Sequence, residues 1–178
     1  MTSEMRKPNP HIRVGDDPTQ EILRHWREAV PHDRLAHLVK DADRVFARAL
    51  QTRLAAHGVS FGHWTFLRIL WEEDGLTQKA LSVHAGVMEP TTFAAVSAME
   101  RHGYVERRQH PGNRKNVYVH LTRVGRALKR KLVPLAESVN HIGIHGIDAA
   151  RIAITRQVLL AIIANLARDE AARQQAPT

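Results

Sequence analysis

A chain of 178 residues with 43% hydrophobic positions is sized for one ordinary domain, or one core with an appended segment. The absence of cysteine excludes disulfides, thiolate catalysis and cysteine-ligated zinc, and no unbroken apolar run nears the roughly 20 residues of a membrane helix, so no membrane span is expected. The formal charge of +8 is concentrated: Arg101 to Lys131 holds ten Lys or Arg against one acid, Glu106, leaving 16 of the 26 bases and 17 of the 18 acids elsewhere. A surplus of that density, running through several elements, calls for a polyanionic partner.

Residues 1–19 carry Pro8, Pro10 and Pro18 among polar residues and read as a flexible arm. They hold neither an apolar stretch nor a small-residue cleavage site, so the cytoplasm is the expected location. Residues 20–58 read as N-terminal helices serving dimerisation or a pocket. Gln20 to Val30 places Ile22, Leu23 and Trp26 at helical spacing and stops at Pro31. A long helix begins after Asp33, with Leu35, Leu38, Val39, Ala42, Val45, Phe46, Ala49, Leu50 and Leu54 on one stripe until Gly58.

Residues 59–122 change character. Phe61 to Glu73 is apolar around much of its circumference, as a central helix is, and Ser60 can cap it. Thr77 caps a two-turn helix that yields at Gly86; Pro90 opens another, with Thr92, Val96 and Met99 inward, that Gly103 ends. Two helices on so short a turn form a helix-turn-helix candidate. Tyr104 to Gln109 and Val117 to Leu121 then read as a two-stranded ribbon whose tip, HPGNRKN, carries Arg114 and Lys115. Residues 123–170 read as C-terminal dimerisation helices. Thr122 caps the first, whose stripe is Leu128, Leu132, Leu135, Val139 and Ile142 and which Pro134 bends; the second, Asp148 to Arg168, is so apolar that another subunit is expected to cover it. Residues 171–178 read as a flexible tail.

A helix-turn-helix followed by a basic hairpin is a winged helix, here bracketed by long apolar helices. FGHWTFLRILWEEDGLTQKALS, MERHGYVERR and NRKNVYVHLTRVGRAL, in that order, resemble the MarR family of bacterial transcription regulators over roughly Leu35 to Leu166. The resemblance implies a mainly α fold with a small β-hairpin wing, a dimer built by the terminal helices, a palindromic operator and a small-molecule pocket between the dimer helices and each lobe. Two positions depart from the family pattern: Asn113-Arg114 stands where an Asp-Arg pair is usual at the wing tip, and Ala94 where a basic residue is usual on the recognition helix.

The residue chemistry assigns candidate roles within that frame. Thr91, Thr92, Ala94, Ser97 and Arg101 belong to the recognition helix; Thr91, Ser97 and Arg101 can hydrogen-bond to bases, whereas Ala94 and Ala98 can only touch apolar groups such as a thymine methyl. Arg114 and Lys115 suit a minor groove, and Arg107 and Arg123 suit phosphates. For an effector, His37 and Arg44, with Asp41, repeat along the first long helix the spacing of Trp64, Arg68 and Trp71 on the next, and His63 adjoins them. Trp walls and an arginine suit an aromatic or acyl carboxylate, or its coenzyme A thioester. No cofactor is implied. Other classes stay open: His141 and His145, four apart, would suit a metal-responsive regulator; Gly58 to Gly62 spells the GxSxG of a hydrolase with Ser60 as nucleophile, although a helix rather than a strand precedes it; and the basic segment would suit an RNA-binding module, against which stands a 5% aromatic content.

Overall fold

The computed structural model describes residues 18–28, 35–110 and 113–175, and divides into two compact units, Met1–Leu135 and Ala136–Thr178. The elements in chain order are α1 (Pro18–Glu28), α2 (Leu35–Ala55), α3 (Phe61–Glu72), β1 (Leu76–Thr77), α4 (Gln78–Ala85), α5 (Glu89–Arg101), β2 (Val105–His110), β3 (Asn113–Leu121), α6 (Arg123–Gly143) and α7 (Ala149–Gln175). The mainly helical winged fold expected from the sequence is the fold observed.

The core lies in the first unit, because α3 supplies it from several sides. Trp64, Phe66, Leu67 and Leu70 are all buried, and with Leu54, Val59, Leu81, Val96, Met99, Val105, Val119, Leu121 and Leu132 they form the apolar interior. Each such burial contributes about 1.5–3 kcal/mol. The chain enters α3 as the residue chemistry dictates: Gly58 takes φ +70 after α2, and the Ser60 hydroxyl accepts from the His63 N–H at 3.1 Å.

The sheet departs from expectation in two ways. It has three antiparallel strands in the order β1-β3-β2, with Leu76 opposite Val119 and Val105 opposite Leu121. A strand of two residues leaves no alternation to detect, so the sequence pattern shows only a ribbon. The wing strands also run further than the β-rich segments, to His110 and from Asn113, with a shift in register between Gln109 and His110. Arg114 and Lys115 fall within the range of β3, but the register passes from Gln109 opposite Val117 to His110 opposite Asn113, so they lie in the irregular stretch beside the tip rather than in the paired ladder.

Two boundaries also move. The arm expected over 1–19 lies mostly outside the described residues, but Pro18 and Thr19 already open α1, where proline suits the first turn. The tail expected from 171 remains helical to Gln175, since Ala, Arg and Gln are strong helix formers; residues 176–178 lie outside the described residues.

The second unit contains the end of α6 and all of α7, and α7 buries none of its residues. By length and composition alone α7 is apolar enough to cross a membrane, with a mean hydropathy of 1.4 over 18 residues. The expectation of no such segment is corrected. Arg151 and Arg156 interrupt the run, so no unbroken apolar stretch of that length exists although the average over the helix is high.

Candidate nucleic-acid interface

Helices α4 and α5 are joined by capping and by a buried polar pair. The Thr77 hydroxyl accepts from the Ala80 N–H at 3.1 Å, Gly86 ends α4 at φ +64, and Pro90 sits in the first turn of α5. Inside, the Ser82 hydroxyl lies 2.9 Å from both the Gln78 carbonyl and the Thr92 hydroxyl. Thr92 is fully buried. It therefore leaves the set of DNA-facing candidates: its hydroxyl is committed to helix packing, on the inner face it shares with Val96 and Met99.

The outer face of α5 presents Thr91, Ala94 and Arg101 to solvent, with Ser97 half-buried. Arg101 and Arg123 have no carboxylate within ion-pair distance among the described residues. Arg107 does. Its Nε and Nη2 donate to Glu100 Oε2 at 3.0 and 2.6 Å, its backbone N–H donates to Oε1, and its guanidinium lies 5.5 Å from the centre of the Phe93 ring. Hydrogen bonding from Arg107 holds the Glu100 carboxyl below the usual carboxylate range. The pairs Arg108–Glu106 and Arg126–Asp74 also occupy cations of the basic segment. The side chains of Arg114 and Lys115 lie outside the described residues.

The exit from the wing is fastened at one point. The Thr122 hydroxyl donates to the Gly103 carbonyl at 2.6 Å and accepts the Gly125 N–H at 3.1 Å, while the Trp71 indole donates to the Gly125 carbonyl at 2.9 Å. A Cβ on Gly125 would lie 2.0 Å from the Tyr104 carbonyl oxygen, so only glycine lets α6 start this close to the backbone just before β2. Asp74 accepts from the Leu121 N–H at 2.8 Å and from Arg126 at 2.6 Å, which ties α6 to the loop before β1.

The effector candidates are distributed differently from the expected pattern. Trp64 is buried and packs edge-on against Trp71, their centres 5.6 Å apart, so the two indoles meet each other. Arg68 is exposed on the same helix. Arg44 pairs with Asp41, which also accepts the Trp26 indole N–H of α1 at 2.9 Å; His37 is exposed. Among the described residues no hydrogen bond, ion pair or ring contact joins His37 or Arg44 to Trp64, Arg68 or Trp71. His63 instead belongs to a ring cluster with His102 and Tyr104, at 5.5 and 6.2 Å. Its Nδ1 is buried without a partner, and burial first, then His102 and Arg101, lower its pKa below 6.5.

The competing chemistries gain nothing from the geometry. Ser60 caps α3 and stands between two helices, where a nucleophile elbow requires a preceding strand. His141 lies in the last turn of α6 but His145 lies beyond its end; both are exposed, and no group of three metal-ligating side chains occurs among the described residues.

The sequence pattern does not single out Phe93, Glu100 or Asp74, whose roles in the Arg107 stack and the wing junction come from packing. Glu100 and Arg107 are seven positions apart across a helix end and a turn, a separation without any periodic signature.

Residues 59–117 match the model of the MarR family. Over that segment the chain is similar to the MarR family. The regulator TtmR of Methylorubrum extorquens (strain PA1) is 30% identical over 106 residues, which make up 60% of this chain and 54% of that one. The uncharacterised regulator YwoH of Bacillus subtilis (strain 168) is 27% identical over 85 residues, 48% of this chain and 62% of its own. The chain thus spans little more than half the length of the curated relatives it matches. Among solved structures, a MarR-family regulator from Silicibacter pomeroyi is 25% identical with a TM-score of 0.62, covering 73% of this chain and 88% of its own. A MarR-family regulator from Listeria monocytogenes, solved with a 26mer DNA, is 18% identical with a TM-score of 0.71 over 82% and 97%, a likeness of fold. The curated relatives are described as transcription regulators, and the placement of Ser60 between two helices does not fit the hydrolase reading.

Proposed function

We propose that this chain is a homodimeric MarR-family repressor that binds a palindromic duplex and leaves it when a small aromatic or acyl carboxylate, or its coenzyme A thioester, binds. One observation carries the reading: the 31-residue segment holding the whole positive surplus comprises the end of the recognition helix, the wing and the start of α6, the three elements a winged helix turns toward a duplex. Arg101 and Arg123, free of carboxylates among the described residues, supply phosphate contacts beside Thr91, Ala94 and Ser97; Arg114 and Lys115 on the wing strand take the adjacent minor groove.

A second copy is the cover we assign to α7, where Ile154, Val158, Leu160, Ile163 and Leu166 are exposed in the single chain. That reading accounts for the apolar length of α7 without a membrane, in which Arg156 at its middle would cost about 2.5–3.5 kcal/mol. Selection of bound duplexes from a randomised pool, followed by gel shifts in a salt series, tests DNA binding. A steep loss of affinity with salt and a palindromic consensus are expected; single-strand preference would place the chain with RNA binders. Calorimetry with aromatic carboxylates and their thioesters tests release, and Arg68→Ala should remove the response while sparing DNA affinity.

A further inference from the structure

The recognition helix carries no lysine or arginine before Arg101; from Met88 to Glu100 its only charges are the carboxylates of Glu89 and Glu100. Over those turns a guanine finds no guanidinium or ammonium to meet. The helix exposes apolar groups instead: Met88 is 76% exposed, Phe93 is 57% exposed, and Ala94 lies open one position further on. An aromatic ring left this open in a chain with so few aromatics marks a surface built for contact.

The ring is also fixed in place. Arg107 of β2 lays its guanidinium over Phe93 at 5.5 Å, and Glu100, seven residues along the same helix from Phe93, holds that guanidinium through two side-chain bonds of 3.0 and 2.6 Å. The arrangement has two consequences. The charge of Arg107 is matched by a carboxylate, so the stack does not present a free cation to phosphate. Phe93 is set on the flank of α5 next to β2, where the stacked arginine restrains its ring.

We propose that Phe93 reads thymine methyl groups in the major groove, with Met88 and Ala94 as apolar neighbours, and that the Glu100–Arg107 clamp is the positioning device for its ring. The thymine methyl is the apolar group on the major-groove edge of a base pair, and an exposed ring gains by burying against it. A pinned arginine beside the ring cannot swing out to guanine, so the same clamp that orients Phe93 withholds a competing readout. The inference rests on the DNA-binding reading above and deepens it.

The test uses the full chain and the tightest duplex enriched from a randomised pool. Each thymine is replaced in turn by deoxyuridine, which removes the methyl and leaves the hydrogen-bonding edges unchanged. At one symmetric pair of positions affinity is expected to fall about fourfold per methyl, the equivalent of one methylene left unburied. Phe93→Ala should bind the thymine and deoxyuridine duplexes equally. Phe93→Gln, which places a good helix former at this exposed site, should do the same and serves if the alanine variant fails to fold. Glu100→Gln should shrink the penalty by releasing Arg107. A wild-type protein indifferent to deoxyuridine at every position, or Phe93 variants that keep the full penalty, would overturn the proposal with DNA binding intact; failure to enrich any duplex would overturn the DNA reading itself and the proposal with it.

Discussion

Helices α3 and α7 are both rich in Ile, Leu and large apolar side chains, yet they satisfy them in opposite ways. The 12 residues of α3 include four buried ones, enclosed by α2, α4, α5 and the sheet of their own unit. The 27 residues of α7 include none, and Ile163 stays 64% exposed. The apolar side chains of α3 are enclosed within their own unit, whereas those of α7 find no enclosure within theirs, which is where the proposed second copy would act. If the proposed dimer forms through α7, stability and assembly are separable properties, and each can be attacked without the other.

The largest expected effect breaks assembly alone. Leu159→Arg with Ile163→Arg places two charges on α7, and sedimentation should show a monomer whose lobe still melts cooperatively. Operator affinity should fall by about a hundredfold or more, since bivalent engagement of two half-sites is lost. A wild-type chain that sediments as a monomer with full operator affinity would remove the contrast altogether.

Next comes damage confined to the lobe. Gly125→Ala drives a Cβ to within 2.0 Å of the Tyr104 carbonyl, and unfolding should register a loss of about 1–3 kcal/mol or more, with dimerisation unchanged. An unaltered melting temperature would show that α6 is free to shift away from β2. The wing then probes function without touching either region's fold: Arg114→Ala in a dimer removes two contacts, and the slope of log affinity against log salt should shrink by about 2. If neither slope nor affinity changes, Arg114 does not meet the duplex.

The smallest effect is a pH slope within the lobe. The imidazole of His63 is held below 6.5 by burial in the ring cluster, so between that value and its lowered native pKa the unfolded chain binds more protons. Stability should decline as pH falls through about 6.5, and His63→Phe should flatten the decline in urea titrations at pH 5.5 and 7.5. A variant with the parent slope would assign the pH dependence elsewhere.

The sequence alone determined the helix ends that caps and glycines mark, and the helix-turn-helix with its ribbon, because those groups act through neighbours in the chain: Ser60, Thr77, Gly86 and Gly103 each do what their chemistry requires within a few residues. It also located the charge surplus, since charge is additive along a chain. Tertiary structure alone decided which cations are free. Arg101 and Arg107 have the same composition and lie near each other, but only Arg107 meets Glu100 and Phe93, through a pairing that depends on how β2 returns past α5. The same holds for the tryptophans: spacing put Trp64 and Trp71 on one face, and only packing settled that they contact each other and that Trp71 reaches the α6 backbone. Local rules govern groups whose partners lie within a turn of chain. Groups whose partners lie across a fold are governed by geometry that no single stretch of sequence contains.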